Sequence, residues 1–115
     1  MPRISPARRD RVFRALADPT RRALCERLAR GESPVGRLQS RFGISQSAIS
    51  QHLAALKRAG LVAERREGRN AYYRLAPAGL RPLVDWIELM DRQRSFWLEK
   101  LDRLKSTLND EEENE

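Results

Sequence analysis

The run ISQSAISQHLAALKRAGLV, residues 44–62, decides the fold. Ser45 is placed to cap a helix, and the residues after it follow a helical period. Ala48, Ile49, Leu53, Ala55, Leu56 and Ala59 then collect on one side. Gln46, Ser47, Ser50, Gln51, Ala54, Lys57 and Arg58 collect on the other. The first set is apolar and suits a core. The second is amides and hydroxyls followed by cations. Gln and Ser reach base edges in a major groove, and Lys and Arg neutralise phosphates. Gly60 is placed as the residue that stops the helix. Periodicity reports burial rather than function, so the neighbouring segments must decide between a recognition helix and an ordinary amphipathic one.

Upstream, Ser5-Pro6 and Asp18-Pro19 each read as a cap followed by a first-turn proline. They predict a helix to about Ala17, with Val12, Phe13 and Leu16 inward, and a second to about Ala29, with Leu24, Cys25 and Leu28 inward. Residues 1–4 are expected to fray. Ser33-Pro34 is read as the start of a short third helix carrying Val35, Leu38 and Phe42 inward. Gly43 ends it, Ile44 plugs the junction, and the run quoted above follows. Two helices joined by a short glycine-containing turn make a helix-turn-helix.

Downstream the period changes to two. Strands are expected over 61–66 and 71–75, with Glu67-Gly68-Arg69-Asn70 as a hairpin turn in which Gly and Asn supply positive φ. Arg65, Arg66, Arg69 and Arg74 load this hairpin with charge. A basic hairpin directly after a recognition helix is a wing, and Arg69 at its tip is placed to reach a minor groove or a phosphate. Arginines on an edge strand also block aggregation, so it is the adjoining helix that favours the wing.

A long helix is expected from about residue 80 to 108. Leu83, Ile87, Met90, Arg94, Trp97, Leu101, Leu104 and Leu108 recur at alternating steps of four and three. That is a heptad seam interrupted by Arg94. A helix of this length overhangs a small domain at ~1.5 Å per residue, so its surplus apolar stripe calls for a second copy of the chain. The expected architecture is therefore mainly α with a small β-hairpin: a winged helix-turn-helix domain over 1–108, whose first and last helices form a dimer interface. Its expected interface residues are Val12, Phe13, Leu83, Ile87, Met90, Trp97, Leu101 and Leu104. Residues 109–115 are read as an acidic, disordered tail.

The length fits one domain. The net charge is +7, and residues 1–75 carry 17 basic and 6 acidic residues. The positive excess thus lies with the candidate recognition helix, which implies a polyanionic partner such as nucleic acid. Twenty of the 23 cations are Arg, a bias that solubility alone can also produce. The single cysteine excludes an internal disulfide and suits a reducing cytoplasm. No apolar run is long enough for a membrane span, and no signal peptide is read after Met1.

With these elements in order, the chain resembles the ArsR/SmtB family of winged-helix transcriptional repressors. The resemblance rests on LADPTRRALCERL (16–28), SQSAISQHLAALKRAGLV (45–62), REGRNAYYRL (66–75) and FWLEKLDRL (96–104). The last looks like the metal-independent, autorepressor-like branch. The match covers nearly all of residues 8–108, and the central run with its wing is the specific part. The resemblance implies a homodimer on operator DNA, joined by its first and last helices, with base-reading positions at Gln46, Ser47, Ser50 and Gln51. The expected DNA-contacting set is these four with Ser45, Lys57, Arg58, Arg66 and Arg69.

The family's metal sensors place cysteines around the third helix, or His and carboxylate pairs in the last. Here the first position reads Glu32-Ser33-Pro34-Val35-Gly36, and the last helix has neither His nor Cys. One Cys and one His cannot build a tetrahedral site, so no metal and no cofactor is expected. His52 projects inward and is read as a structural histidine hydrogen-bonded within the motif; Cys25 is read as a core thiol. Arg21 and Arg22 are open to phosphate or to acids. Arg94 is open to a partner's acid or a small inducer pocket. No catalytic constellation is visible, so an enzyme is not expected. The alternative function is a protein-interaction module that docks through its long last helix.

Overall fold

The computed structural model describes residues 6–113. The expected fraying of residues 1–4 and the Ser5 cap lie outside the described residues. The elements are α1 (Pro6–Leu16), α2 (Pro19–Leu28), β1 (Ser33–Pro34), α3 (Val35–Phe42), α4 (Gln46–Arg58), β2 (Val62–Glu67), β3 (Asn70–Leu75), a 3-10 turn (Pro77–Leu80) and α5 (Arg81–Glu113). Two compact units divide the chain, one ending at Leu83 and one beginning at Val84.

The first unit is a winged helix-turn-helix. Its core takes Val12 and Ala15 from α1, Leu24 and Leu28 from α2, Leu38 from α3, and Ile49, Leu53, Leu56 and Ala59 from α4. Leu61 and Val62 extend it to the root of the wing. Phe42 and Ile44 pack on this core half-buried, so Ile44 does plug the junction. Truncating a fully buried residue such as Leu53 to Ala in a core of this kind costs about 2–5 kcal/mol.

Asp18 caps α2 as its sequence position suggests, accepting hydrogen bonds from the amides of Thr20 (2.8 Å) and Arg21 (3.1 Å). The same corner is closed from the other side. Arg21 Nε donates to the Ala15 carbonyl (2.6 Å), Arg21 Nη2 to that of Arg14 (3.0 Å), and Arg22 Nη1 to that of Leu16 (2.7 Å). The last carbonyls of a helix lack intrahelical partners, and arginine supplies them here. The two arginines therefore secure α1 rather than pair with acids.

Helix α4 has two built ends. The Ser45 hydroxyl accepts from the Ala48 amide at 3.1 Å. At the other end the Leu61 amide donates to the Leu56 carbonyl (2.9 Å) and the Gly60 amide to that of Lys57 (3.0 Å). These two bonds form a Schellman motif, with Gly60 at φ 78 in the left-handed position. The chain crosses itself at this point. The Leu61 carbonyl accepts from the Ala76 amide at 2.8 Å, joining the two roots of the wing. Gly79 packs so closely beneath that a Cβ there would lie 1.8 Å from the Gly60 oxygen.

The wing is a register of six pairs, from Val62↔Leu75 to Glu67↔Asn70. Its turn is Gly68-Arg69, with only Gly68 at positive φ. Asn70 is the first residue of β3, so the expected positive φ at asparagine is not used. A third strand is present that the sequence did not announce. Ser33 and Pro34 pair antiparallel with Tyr73 and Tyr72, giving the order β1-β3-β2. Ser33 is fully buried in that strand and is not the cap of α3, which starts from Pro34 without a side-chain cap.

Two further expectations change. Val12 is fully buried in the domain core and has no surface to offer a partner chain. Leu83 is half-buried against the same core. The last helix also continues through Glu113, five residues past the expected end at Leu108.

The crossing of Gly60 and Gly79 is testable by denaturant unfolding. Gly79→Ala is expected to lower the unfolding free energy by about 3 kcal/mol, because backbone cannot yield to a methyl group as a side chain can. Gly36→Ala, whose Cβ would meet nothing within 4 Å in α3, is expected to raise it by about 0.5 kcal/mol.

Candidate nucleic-acid interface

The outer side of α4 is built from the residues that the sequence placed there. Gln46, Ser47, Ser50, Gln51, Lys57 and Arg58 are all exposed, while Ile49, Leu53 and Leu56 are fully buried. Both ends of the helix are capped, so these side chains stand on a fixed scaffold. Ser45 serves as the cap, and its hydroxyl proton remains free to donate.

Electrostatics separates the wing arginines into two kinds. Arg65 is committed to structure. It meets Glu32 with two nitrogens (2.6 and 3.3 Å), meets Glu67 at 2.7 Å, and stacks 4.6 Å from the Tyr72 ring centre. One guanidinium thus ties β2 to β3 and to the residue before β1. It holds the Glu32 carboxyl below its usual range, and the hydrogen bonds to Glu32 and then Glu67 push the guanidinium up further. Arg66 and Lys57 converge on Glu64, at 3.3 and 3.9 Å. Tyr73 also donates its hydroxyl to Glu64. That bond holds the carboxylate low, and burial followed by the same hydrogen bond pushes the tyrosine up to about 12. Lys57 and Arg66 are themselves exposed, although the Glu64 side chain between them is largely covered, so both cations remain within reach of a stronger anion. Arg69 is exposed at the wing tip and has no ion pair among the described residues.

Arg58 belongs to a different group. It lines a concavity with Arg11, Arg14 and Arg21, together with Ala15 and Ala55. No local pattern marks this cluster, because its members come from three helices.

His52 is half-buried, as the inward projection required, but it makes no hydrogen bond among the described residues. It contributes instead to holding the Asp18 carboxyl low, a shift caused first by the Arg21 amide. Cys25 is half-buried, and burial followed by the Glu26 charge pushes its thiol up. Arg94 pairs within its own helix, 2.8 Å from Asp91.

The second unit is the rest of α5, and its heptad stripe is open. Ile87, Met90, Trp97, Leu101, Leu104 and Leu108 are 39–56% exposed, and Phe96 and Trp97 meet edge to face at 5.9 Å. No described helix is long and apolar enough to cross a membrane.

Comparison with known proteins agrees with this geometry. A helix-turn-helix domain family matches residues 16–65. The chain is 50% identical over 74 residues to the HTH-type transcriptional regulator Rv2034 of Mycobacterium tuberculosis, covering 64% of this chain and 69% of that one. It is 37% identical over 76 residues to the transcriptional repressor SdpR of Bacillus subtilis, covering 66% and 84%. Among solved structures it is similar to an ArsR-like transcriptional regulator from Rhodococcus, with a TM-score of 0.72, 31% identity, and coverage of 85% of this chain and 92% of that one.

Three carboxyls here, Asp18, Glu32 and Glu64, have lowered pKa values in the folded chain. Their contribution is present above the ordinary values of 3.8 and 4.5 and is lost as pH falls through the lowered folded values. The urea midpoint is expected to hold steady from pH 7 to about 5 and to fall below about 4. Arg21→Ala, which frees two carbonyls at the end of α1, is expected to cost about 2 kcal/mol in the same assay at neutral pH.

Proposed function

We infer the mechanism from one premise: the chain belongs to the ArsR/SmtB family of winged helix-turn-helix transcriptional regulators. It is a DNA-binding transcriptional repressor. The relatives and structural neighbours are regulators rather than enzymes.

In the proposed mechanism, α4 enters the major groove. Gln46, Ser47, Ser50 and Gln51 contact base edges, where amides and hydroxyls both donate and accept. Ser45, Lys57, Arg58 and Arg66 contact phosphates and set the register. Arg69 at the tip of the wing reaches the flanking minor groove or its backbone. The observation that carries this reading is the division of α4 itself: Gln46, Ser47, Ser50 and Gln51 are exposed together, and Ile49, Leu53 and Leu56 are fully buried together.

The repressor is proposed to act as a homodimer through the α5 stripe. Ile87, Met90, Trp97, Leu101 and Leu104 supply the contact, joined by Phe13 of α1. A contiguous exposed apolar stripe on a regular heptad spacing favours this use. Two half-sites then lie on one face of the DNA, about 10 bp apart or a multiple of that. Residues 1–108 carry DNA binding and dimerisation, and the acidic residues 109–115 discourage non-specific DNA. The protein works in the cytoplasm without a metal, and its own promoter is among its targets. The same α5 stripe would also serve a protein-docking module, and a gel shift with the upstream region of its own gene separates the two uses.

Changing Gln46, Ser47, Ser50 and Gln51 together to Ala is expected to abolish operator preference in that gel shift while leaving the dimer intact. Each well-formed base contact is worth about 1–3 kcal/mol of discrimination. Arg69→Ala is expected to weaken all sequences alike and to reduce the salt slope by about 1. A four-alanine variant that still prefers the operator sinks the assignment. Trp97→Glu with Leu101→Glu is expected to give a monomer in sedimentation. A dimer that survives this change does not use the α5 stripe.

A further inference from the structure

A concavity of about 420 Å³ opens beside α4, on the edge of the reading face. Its volume falls within the roughly 300–1,000 Å³ of small-ligand sites. Arg11 and Arg14 of α1, Arg21 of α2 and Arg58 of α4 line it, with Ala15 and Ala55 between them. No carboxylate is in the lining, and Arg11, Arg14 and Arg58 have no ion pair among the described residues. Four like charges around one hollow repel each other, and an anion in the hollow relieves that repulsion. The two alanines keep the space open.

Arg21 gives the hollow a fixed donor. Its Nε and one Nη2 hydrogen are committed to the carbonyls of Ala15 and Arg14, which leaves three of its five N–H donors. It is only partly exposed, so little freedom is lost when it binds. Arg11, Arg14 and Arg58 are exposed arms around it. A guanidinium matches phosphate oxygens in pairs, and four of them call for more charge than a single carboxylate carries.

We propose that this hollow binds a phosphate group, with Arg21 as the anchor and Arg11, Arg14 and Arg58 closing around it. Phosphate chemistry has two sources. One is a backbone phosphate of the operator, beside the groove that α4 enters. The other is a free phosphorylated small molecule. The operator source rests on the DNA reading given above; the free source does not.

The test is calorimetric titration of inorganic pyrophosphate into the full chain at low ionic strength, without DNA. The expected result is saturable binding at one site per chain. Arg11→Ala with Arg14→Ala, both exposed, is expected to weaken it at least tenfold, with the fold checked by circular dichroism. Arg92→Ala with Arg103→Ala on α5, an equal change of charge, is expected to leave it unchanged. Absence of saturable binding overturns the proposal, as does equal loss in the two double variants or no loss in either. Operator binding then identifies the source. If a DNA phosphate fills the hollow, the Arg11/Arg14 variant lowers the salt slope by about 1–2 and pyrophosphate competes with DNA. If a free ligand fills it, the slope is unchanged and pyrophosphate binds the DNA complex as well. Because the titration contains no DNA, its failure is distinct from a failure of operator recognition by α4.

Discussion

One backbone crossing holds the first unit in register. The Gly60 carbonyl lies against Gly79 with no room for a Cβ between them, and the Leu61 carbonyl accepts from the Ala76 amide one residue further on. Three elements are fixed there at once: the end of α4, both roots of the wing, and the turn that leads into α5. A side chain at residue 79 would force backbone apart, which a close-packed interior resists. The geometry between the candidate reading face and the wing tip therefore depends on two glycines that lie outside the proposed DNA-contacting set. Capping at Ser45 fixes the other end of the same helix.

Charge is distributed with equal economy. The chain is strongly basic, but its arginines do different work. Arg21 and Arg22 close the end of α1, and Arg65 binds the sheet together through Glu32, Glu67 and Tyr72. Lys57 and Arg66 share Glu64, and both cations are exposed enough to turn to a polyanion while Tyr73 keeps its hydrogen bond to the carboxylate. Arg69, Arg11, Arg14 and Arg58 have no acid at all among the described residues. In the proposed mechanism the field of this last group draws DNA to the domain, and the α4 amides and hydroxyls choose the sequence.

Much of this was legible in the sequence because it rests on local chemistry. Asp18, Ser45, Gly43 and Gly60 mark the ends of helices through bonds that span only a few residues, and Gly68 marks the place of the wing turn, although the turn is two residues shorter than expected and Asn70 belongs to β3. What was missed is non-local. β1 is two residues long and contains a proline, so it has no period to detect. Arg65 meets Glu32 from 33 residues away, and the four-arginine hollow draws on three helices. Val12 failed for another reason: an apolar helical stripe cannot say whether its own domain or a second copy covers it. Ile87 to Leu108 passed the same ambiguity to the structure, which leaves that stripe exposed.

The central claim is that α4 reads a specific DNA sequence as one half of a two-fold pair. Hydroxyl-radical footprinting on the upstream region of its own gene tests this most directly. The account predicts two protected patches on one face of the duplex, related by a dyad and centred about one helical turn or a multiple apart, with the wing marking their flanks. Uniform protection along the fragment, or a single patch with no symmetric partner, would contradict it.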